Sequence, residues 1–186
     1  YEIKECDWSS DVCSSDLIFL TRNAADTIAS TTKWSDAHKN EPGTEGWWGV
    51  DNRKWKLLIE EVVPRDEFLG PHANEIATFT SETDKAAVEW IVTMNHGMNE
   101  LLKYPDRFIR VRYEDVCSNT EKELQRICDF AGLPSDPIFL QYGSETIQTA
   151  SMHPAPQVHP LLMEPMRKVS EKLGYLQREA VTSVIE

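Results

Sequence analysis

Ile18 to Ser30 reads IFLTRNAADTIAS, a β-prone run that stops at Arg22-Asn23 and passes directly into residues able to coil as a helix. The branched and aromatic run Ile18-Phe19-Leu20-Thr21 predicts a strand. Asn23 is a good N-cap, and Asp26 falls in the first turn, where the helix dipole favours an acid, so a helix is expected over 24–33. Such a unit delivers Arg22 to the top of a sheet and sets Ser30 two helical turns further on. By the i, i+4, i+7 rule Asn23, Thr27 and Ser30 share a face, while Ala25, Ile28, Ala29 and Thr32 look elsewhere. A dianion near that helix start would meet backbone N–H groups, the positive dipole end, an arginine fork and one hydroxyl. The competing reading is an arginine snorkelling from a strand end beside a surface serine.

Beyond this unit, Trp34 to Gly49 reads WSDAHKNEPGTEGWWG, with Pro, Gly and no sustained period, and is expected to be an exposed loop. Loops of that length in compact domains often carry function. A short helix is expected over 52–63, ended by Pro64, with the polar stretch to Thr83 mostly connection. Between Asp84 and Tyr104 the residues Ala87, Trp90, Ile91, Met94, Met98, Leu101 and Leu102 recur at steps of three and four, which predicts a helix with one buried stripe. Pro105-Asp106 supplies a turn, and Phe108 to Tyr113 alternates as a strand does. Ser118 or Asn119 can cap a helix whose Leu124, Ile127, Cys128 and Ala131 share a face, closed by Gly132. Pro134 and Pro137 stop it. A Pro-broken segment follows, then a last helix near 161–173 closed by Gly174. Strands alternating with helices argue an α/β domain built on a parallel sheet.

Asp7 to Leu17, DWSSDVCSSDL, has no periodicity and back-translates smoothly into a string resembling a common sequencing adapter. Residues 1–17 are therefore set aside as a non-native segment, which points to a shotgun assembly. Removing Asp7, Asp11 and Asp16 moves the formal charge from -12 to -9, so the chain stays acidic. An acidic surface disfavours general binding to nucleic acid or anionic membrane, though not one local basic pocket. The remaining length suffices for one domain with a real core. Cys117 and Cys128 look like small core residues rather than a disulfide or zinc pair. No histidine has a second histidine or a cysteine at i+3 or i+4, so no metal is expected, and no apolar run is long enough for a membrane helix. A soluble, cytoplasmic protein is the expectation.

Arg22-Asn23-Ala24-Ala25-Asp26-Thr27-Ile28-Ala29-Ser30 resembles the 3′-phosphate motif of PAPS-dependent sulfotransferases, in which a strand-end arginine and a serine eight residues on hold the nucleotide. Ala24 departs from the proline frequent there, a loss of rigidity rather than of a ligand. Arg112-Tyr113-Glu114-Asp115-Val116, then Glu121 to Phe130, then Ala131-Gly132-Leu133-Pro134, resembles a second stretch of the same family, and the order of the two gives the resemblance its weight. Val169 to Tyr175 is similar to the Leu-Gly-Tyr ending of bacterial members, whereas Arg167-Lys168 is followed by Val169 and lacks the glycine of the Arg-Lys-Gly loop.

The resemblance covers roughly Ile18 to Tyr175. It implies a P-loop-type three-layer α/β fold, a parallel sheet flanked by helices, with its N-terminal strands missing. It also implies PAPS as sulfuryl donor, Arg22 and Ser30 on its 3′-phosphate, Tyr113 beside its adenine, and a small-molecule or carbohydrate acceptor. The Gly-rich phosphosulfate loop and the catalytic base would lie upstream, so an inactive fragment is expected. Glu114 and Asp115, neighbours at a strand end that point to opposite sides, are assigned to structure, capping a loop or pairing with arginine, with acid/base catalysis as the alternative. Trp47 and Trp48, near Trp34 and Trp55, would form either an aromatic wall for an acceptor such as a sugar or a lid over the core. Two other classes stay open: a nucleotide or sugar kinase, which an upstream Gly-x-x-x-x-Gly-Lys-Ser/Thr loop would reveal, and a helical interaction module without catalysis.

Overall fold

A computed structural model describes residues 17–38, 46–147 and 152–175. In chain order they hold β1 (Leu17–Thr21), α1 (Ala24–His38), α2 (Arg53–Leu57), α3 (Ala73–Ile76), α4 (Glu82–Lys103), β2 (Phe108–Arg112), α5 (Tyr113–Ser118), α6 (Thr120–Phe130), α7 (Pro137–Thr146) and α8 (Pro160–Lys172). Helix dominates, and β1 and β2 form a two-stranded parallel sheet flanked by helices. The chain divides into two compact units, one of Thr21–Glu100 with Ala150–Glu186, the other of Tyr1–Leu20 with Leu101–Thr149. Leu17, the last residue of the stretch set aside above, opens β1.

The larger unit is organised on α4. Ser81 caps it, its hydroxyl accepting from the Asp84 amide. The expected single stripe is wrong for its first half, where Lys85, Ala86, Ala87, Val88, Trp90, Ile91 and Val92 are all buried. The reason is that elements reach it from several directions: α1 through Ser35 to Glu82, and the start of α8 through the His159 amide to Asp84 Oδ1 at 2.7 Å. Leu102, counted in the stripe, is exposed near the helix end.

The helix expected over 52–63 is present, but past α2 it widens into a π turn over Leu58–Val62 and tightens over Val63–Arg65, with Pro64 inside that last turn. The stretch after it is more than connection. It buries Leu69, Ile76 and Phe79 and contains α3. Asp66 organises it, since its Oδ1 accepts the amides of Phe68 and Leu69 at 2.9 Å and its Oδ2 accepts Asn95 Nδ2 at 3.1 Å. Helix α1 runs to His38, so Trp34 to His38 are helical rather than loop, and residues 39–45 of that loop lie outside the described residues.

In the smaller unit, strand pairing stops at Arg112, one residue earlier than expected, and Tyr113 opens α5. Glu114 and Asp115 therefore sit in a helical first turn, not at a strand end. The premise of alternating directions fails with it, but the structural pairing with arginine is present, since Asp115 lies 4.0 Å from Arg112 Nε. Glu123 of α6 is buried and binds Arg126, whose guanidinium also donates to the Arg110 carbonyl at 2.9 Å, tying α6 to β2. Gly132 closes α6 as expected, at φ 66, with the amides of Gly132 and Leu133 reaching back to the carbonyls of Asp129 and Cys128. Cys117 and Cys128 are free thiols.

Helix α7 is an element that the Pro-broken reading of this region missed. Asp136 caps it, accepting the Ile138 amide at 2.8 Å, and Pro137 occupies the first turn, where a missing N–H costs nothing. Gly143 lets α7 approach α6, because a Cβ there would overlap Leu124 Cδ1. Gly143→Val should therefore cost about 2 kcal/mol through overpacking, read as a lower urea midpoint; an unchanged midpoint would mean that Leu124 simply turns away.

Candidate functional site

The corner where β1 becomes α1 is fixed from several sides within the larger unit. The Thr21 hydroxyl meets Tyr175 Oη at 3.4 Å, and the Arg22 carbonyl accepts the indole N–H of Trp90 at 3.0 Å. Asn23 caps α1 as expected, its Oδ1 accepting the Asp26 amide at 2.8 Å. Arg22 thus leaves the strand directly at the helix start, half-buried. Ser30 lies on the same helix about 9 Å of rise beyond Ala24, exposed. The amides of Ala24 and Ala25, first in α1, have no acceptor within the helix.

Asp26 matters more here than its place in a first turn suggested. It is buried, and its Oδ1 accepts both the backbone N–H of His153 at 2.7 Å and that residue's ring Nδ1 at 2.9 Å. Burial pushes the Asp26 carboxyl up, but the hydrogen bonds from Asn23 and His153 and the Arg22 charge outweigh it and hold the group below the ordinary carboxylate range. The corner therefore combines a guanidinium, the two first amides of a helix and one ionised carboxylate whose charge partly offsets the arginine.

A second cluster in this unit surrounds the tryptophans. Ser35, His38, Trp47, Trp48, Asp51 and Glu82 are among the residues lining a cleft of about 510 Å³. Glu82 is its floor, accepting the Ser35 hydroxyl and the Trp48 indole N–H, each at 2.5 Å, and Lys85 Nζ at 3.3 Å. Burial raises this carboxyl too, and the bonds from Ser35, Trp48 and Lys85 more than reverse that, leaving it below its usual range. Trp48 is buried edge-on to Trp55, whereas Trp47 is half-buried, edge-on to Trp34, and donates to Glu89 at 2.6 Å. Lys54 also pairs with Glu89 and lies 4.2 Å from the Trp47 ring centre. Trp48 is thus a core residue and Trp47 a wall. Asp51 and Asn52, at φ 52 and 57, hold left-handed backbone at the cleft's lip.

Tyr113 belongs to the smaller unit, where it is the half-buried first residue of α5. It directly follows β2, as Arg22 directly follows β1. Residues 67–137 match the model of the sulfotransferase family. This part of the chain thus resembles a sulfotransferase-family domain, and the matched stretch holds Tyr113 and the Arg112 to Val116 and Ala131 to Pro134 motifs, while Arg22 and Ser30 precede it. Searches of curated proteins and of solved structures gave no match.

Among the described residues no cluster of three His, Cys, Asp or Glu could hold a metal ion, and no helix is long and apolar enough to cross a membrane. His38 stacks on Trp34, His96 lies 3.5 Å from Asp66, and His159 caps α8. Asp26, His153 and Glu82 were not nominated from sequence; only Asp26 carried a signal, as a first-turn acid.

Proposed function

We propose that this chain carries the nucleotide-holding part of a PAPS-dependent sulfotransferase. In that reading Arg22 and Ser30 hold the 3′-phosphate, the family resemblance assigns Tyr113 to the adenine, and Trp47, with Trp48 packed behind it, borders the acceptor, a small molecule or carbohydrate. One observation carries it: two parallel, hydrogen-bonded strands each pass through an arginine into a helix, the second inside the stretch that matches the sulfotransferase family. A P-loop-type three-layer α/β arrangement is part of the same proposal. The exposed side chains of Leu17, Ile18 and Leu20 on β1 support it, since parallel sheets are normally covered on both faces.

Sulfuryl transfer would break the bond from sulfur to the phosphate oxygen of the donor as the acceptor oxygen bonds to sulfur, with a base taking the acceptor's proton. The contribution of this chain is positioning and charge. Arg22 neutralises the 3′-phosphate, the amides of Ala24 and Ala25 orient it, and Trp90 holds the Arg22 backbone in place. Within the 186 residues no Gly-rich lysine loop and no base is nominated, so the isolated chain should bind nucleotide without turnover.

Calorimetric titration with adenosine 3′,5′-bisphosphate tests the reading. One-to-one binding is expected, weakened about 10- to 100-fold by Arg22→Ala, the effect of losing a charge-assisted contact. Trp47→Ala should leave that affinity intact. Absent binding, or an affinity indifferent to Arg22, overturns the proposal.

A further inference from the structure

We propose that His153 is a second cationic contact for the anion that Arg22 holds, with Asp26 positioning its ring; the proposal rests on the nucleotide reading above. Three observations lead there. The backbone N–H and the ring Nδ1 of His153 converge on one oxygen of Asp26, at 2.7 and 2.9 Å, which anchors the residue at two points. Because that oxygen is an acceptor, the Nδ1 atom carries the proton and donates it, so the other ring nitrogen, Nε2, faces away from the carboxylate. The ring is also reachable: the His153 side chain is 40% exposed while that of Asp26 is 4% exposed.

The electrostatics then say what the ring is for. Among the described residues, Arg22 and His153 both act on Asp26 at this corner. Asp26 is ionised and partly offsets Arg22, so a second cation here would strengthen what the corner offers a dianion. A dianion arriving at Arg22 favours uptake of a proton at Nε2, and the imidazolium then donates to it while Nδ1 keeps its bond to Asp26. His153 thereby supplies from the segment before α8 the second cation that Arg167-Lys168, followed by Val169, is not read as supplying.

The test follows the His153 ring by NMR across pH, its resonance identified by its loss in His153→Gln, in the full chain with and without saturating adenosine 3′,5′-bisphosphate. The His153 titration should move upward by about one pH unit or more on binding. Adenosine 5′-monophosphate, which lacks the 3′-phosphate, should not move it. His153→Gln keeps the backbone bond to Asp26, so the fold should survive; its affinity should fall about 3- to 10-fold at pH 6 and lose the weakening from pH 6 to 8 seen in the parent. Bisphosphate that binds without moving the titration, or a shift equal to that from the monophosphate, overturns the role of His153 alone. No calorimetric binding by the parent chain overturns the nucleotide reading and this proposal with it.

Discussion

Replacing Asp66 by alanine should lower the free energy of unfolding by about 3 to 5 kcal/mol. The Asp66 side chain is fully buried, 0% exposed, and both its oxygens are engaged. One oxygen takes the amides of Phe68 and Leu69, and the other takes Asn95 Nδ2, with His96 Nε2 at 3.5 Å. Alanine strips the acceptor from three donors, two of them backbone groups that a folded chain cannot turn toward water. The effect spreads to α8. Asn95 is oriented by Asp66 on one side and by Lys172, which donates to its Oδ1 at 2.8 Å, on the other. Asp66→Asn should be milder, because one amide oxygen still serves Phe68 and Leu69, but its NH2 group then faces the NH2 of Asn95, and flipping Asn95 would forfeit the Lys172 bond. Urea unfolding at neutral pH reads both variants; a loss below about 1 kcal/mol for the alanine would show that water replaces the carboxylate.

What could be read from residue order was what neighbours in the chain decide. Asn23 capping the Asp26 amide spans three residues, and Gly132 and Gly174 close their helices with left-handed backbone and short-range bonds. The signature at Asp136-Pro137 is equally local, but Pro134 and Pro137 both read as breakers in sequence, whereas the second sits where α7 starts. Tyr113 was misplaced for a different reason. Alternation from Phe108 carries no signal for where pairing ends, and the partner strand β1 itself stops at Thr21. The pairs that build the site were out of reach. His153 finds Asp26 across 127 residues, and Glu82 gathers Ser35 and Trp48 from 47 and 34 residues away. Nothing in a lone histidine of a proline-rich stretch announces such a partner, so only the folded corner turns Asp26 from a dipole-compensating acid into the residue that positions a ring.

Glu82→Ala should cost about 3 kcal/mol, since it removes the acceptor shared by Ser35, Trp48 and Lys85 beneath the tryptophan cleft. Lys85 is the member that suffers most. It is buried, within 6.0 Å of the Trp48 ring centre and 5.8 Å of the Trp55 ring centre, and would lose the carboxylate it pairs with. Acid should act on the same group. The Glu82 carboxyl is held below its ordinary 4.5 in the folded protein, so its contribution is complete above that value and drains away as pH falls through the folded value. Asp26, also depressed, shifts stability in the same sense. Hence Glu82→Gln, which keeps the shape without the ionisable oxygen, should be less stable than the parent at pH 7, and the gap should narrow between pH 5 and pH 3. A gap of constant size across that interval would mean that Glu82 contributes through packing and not through its charge.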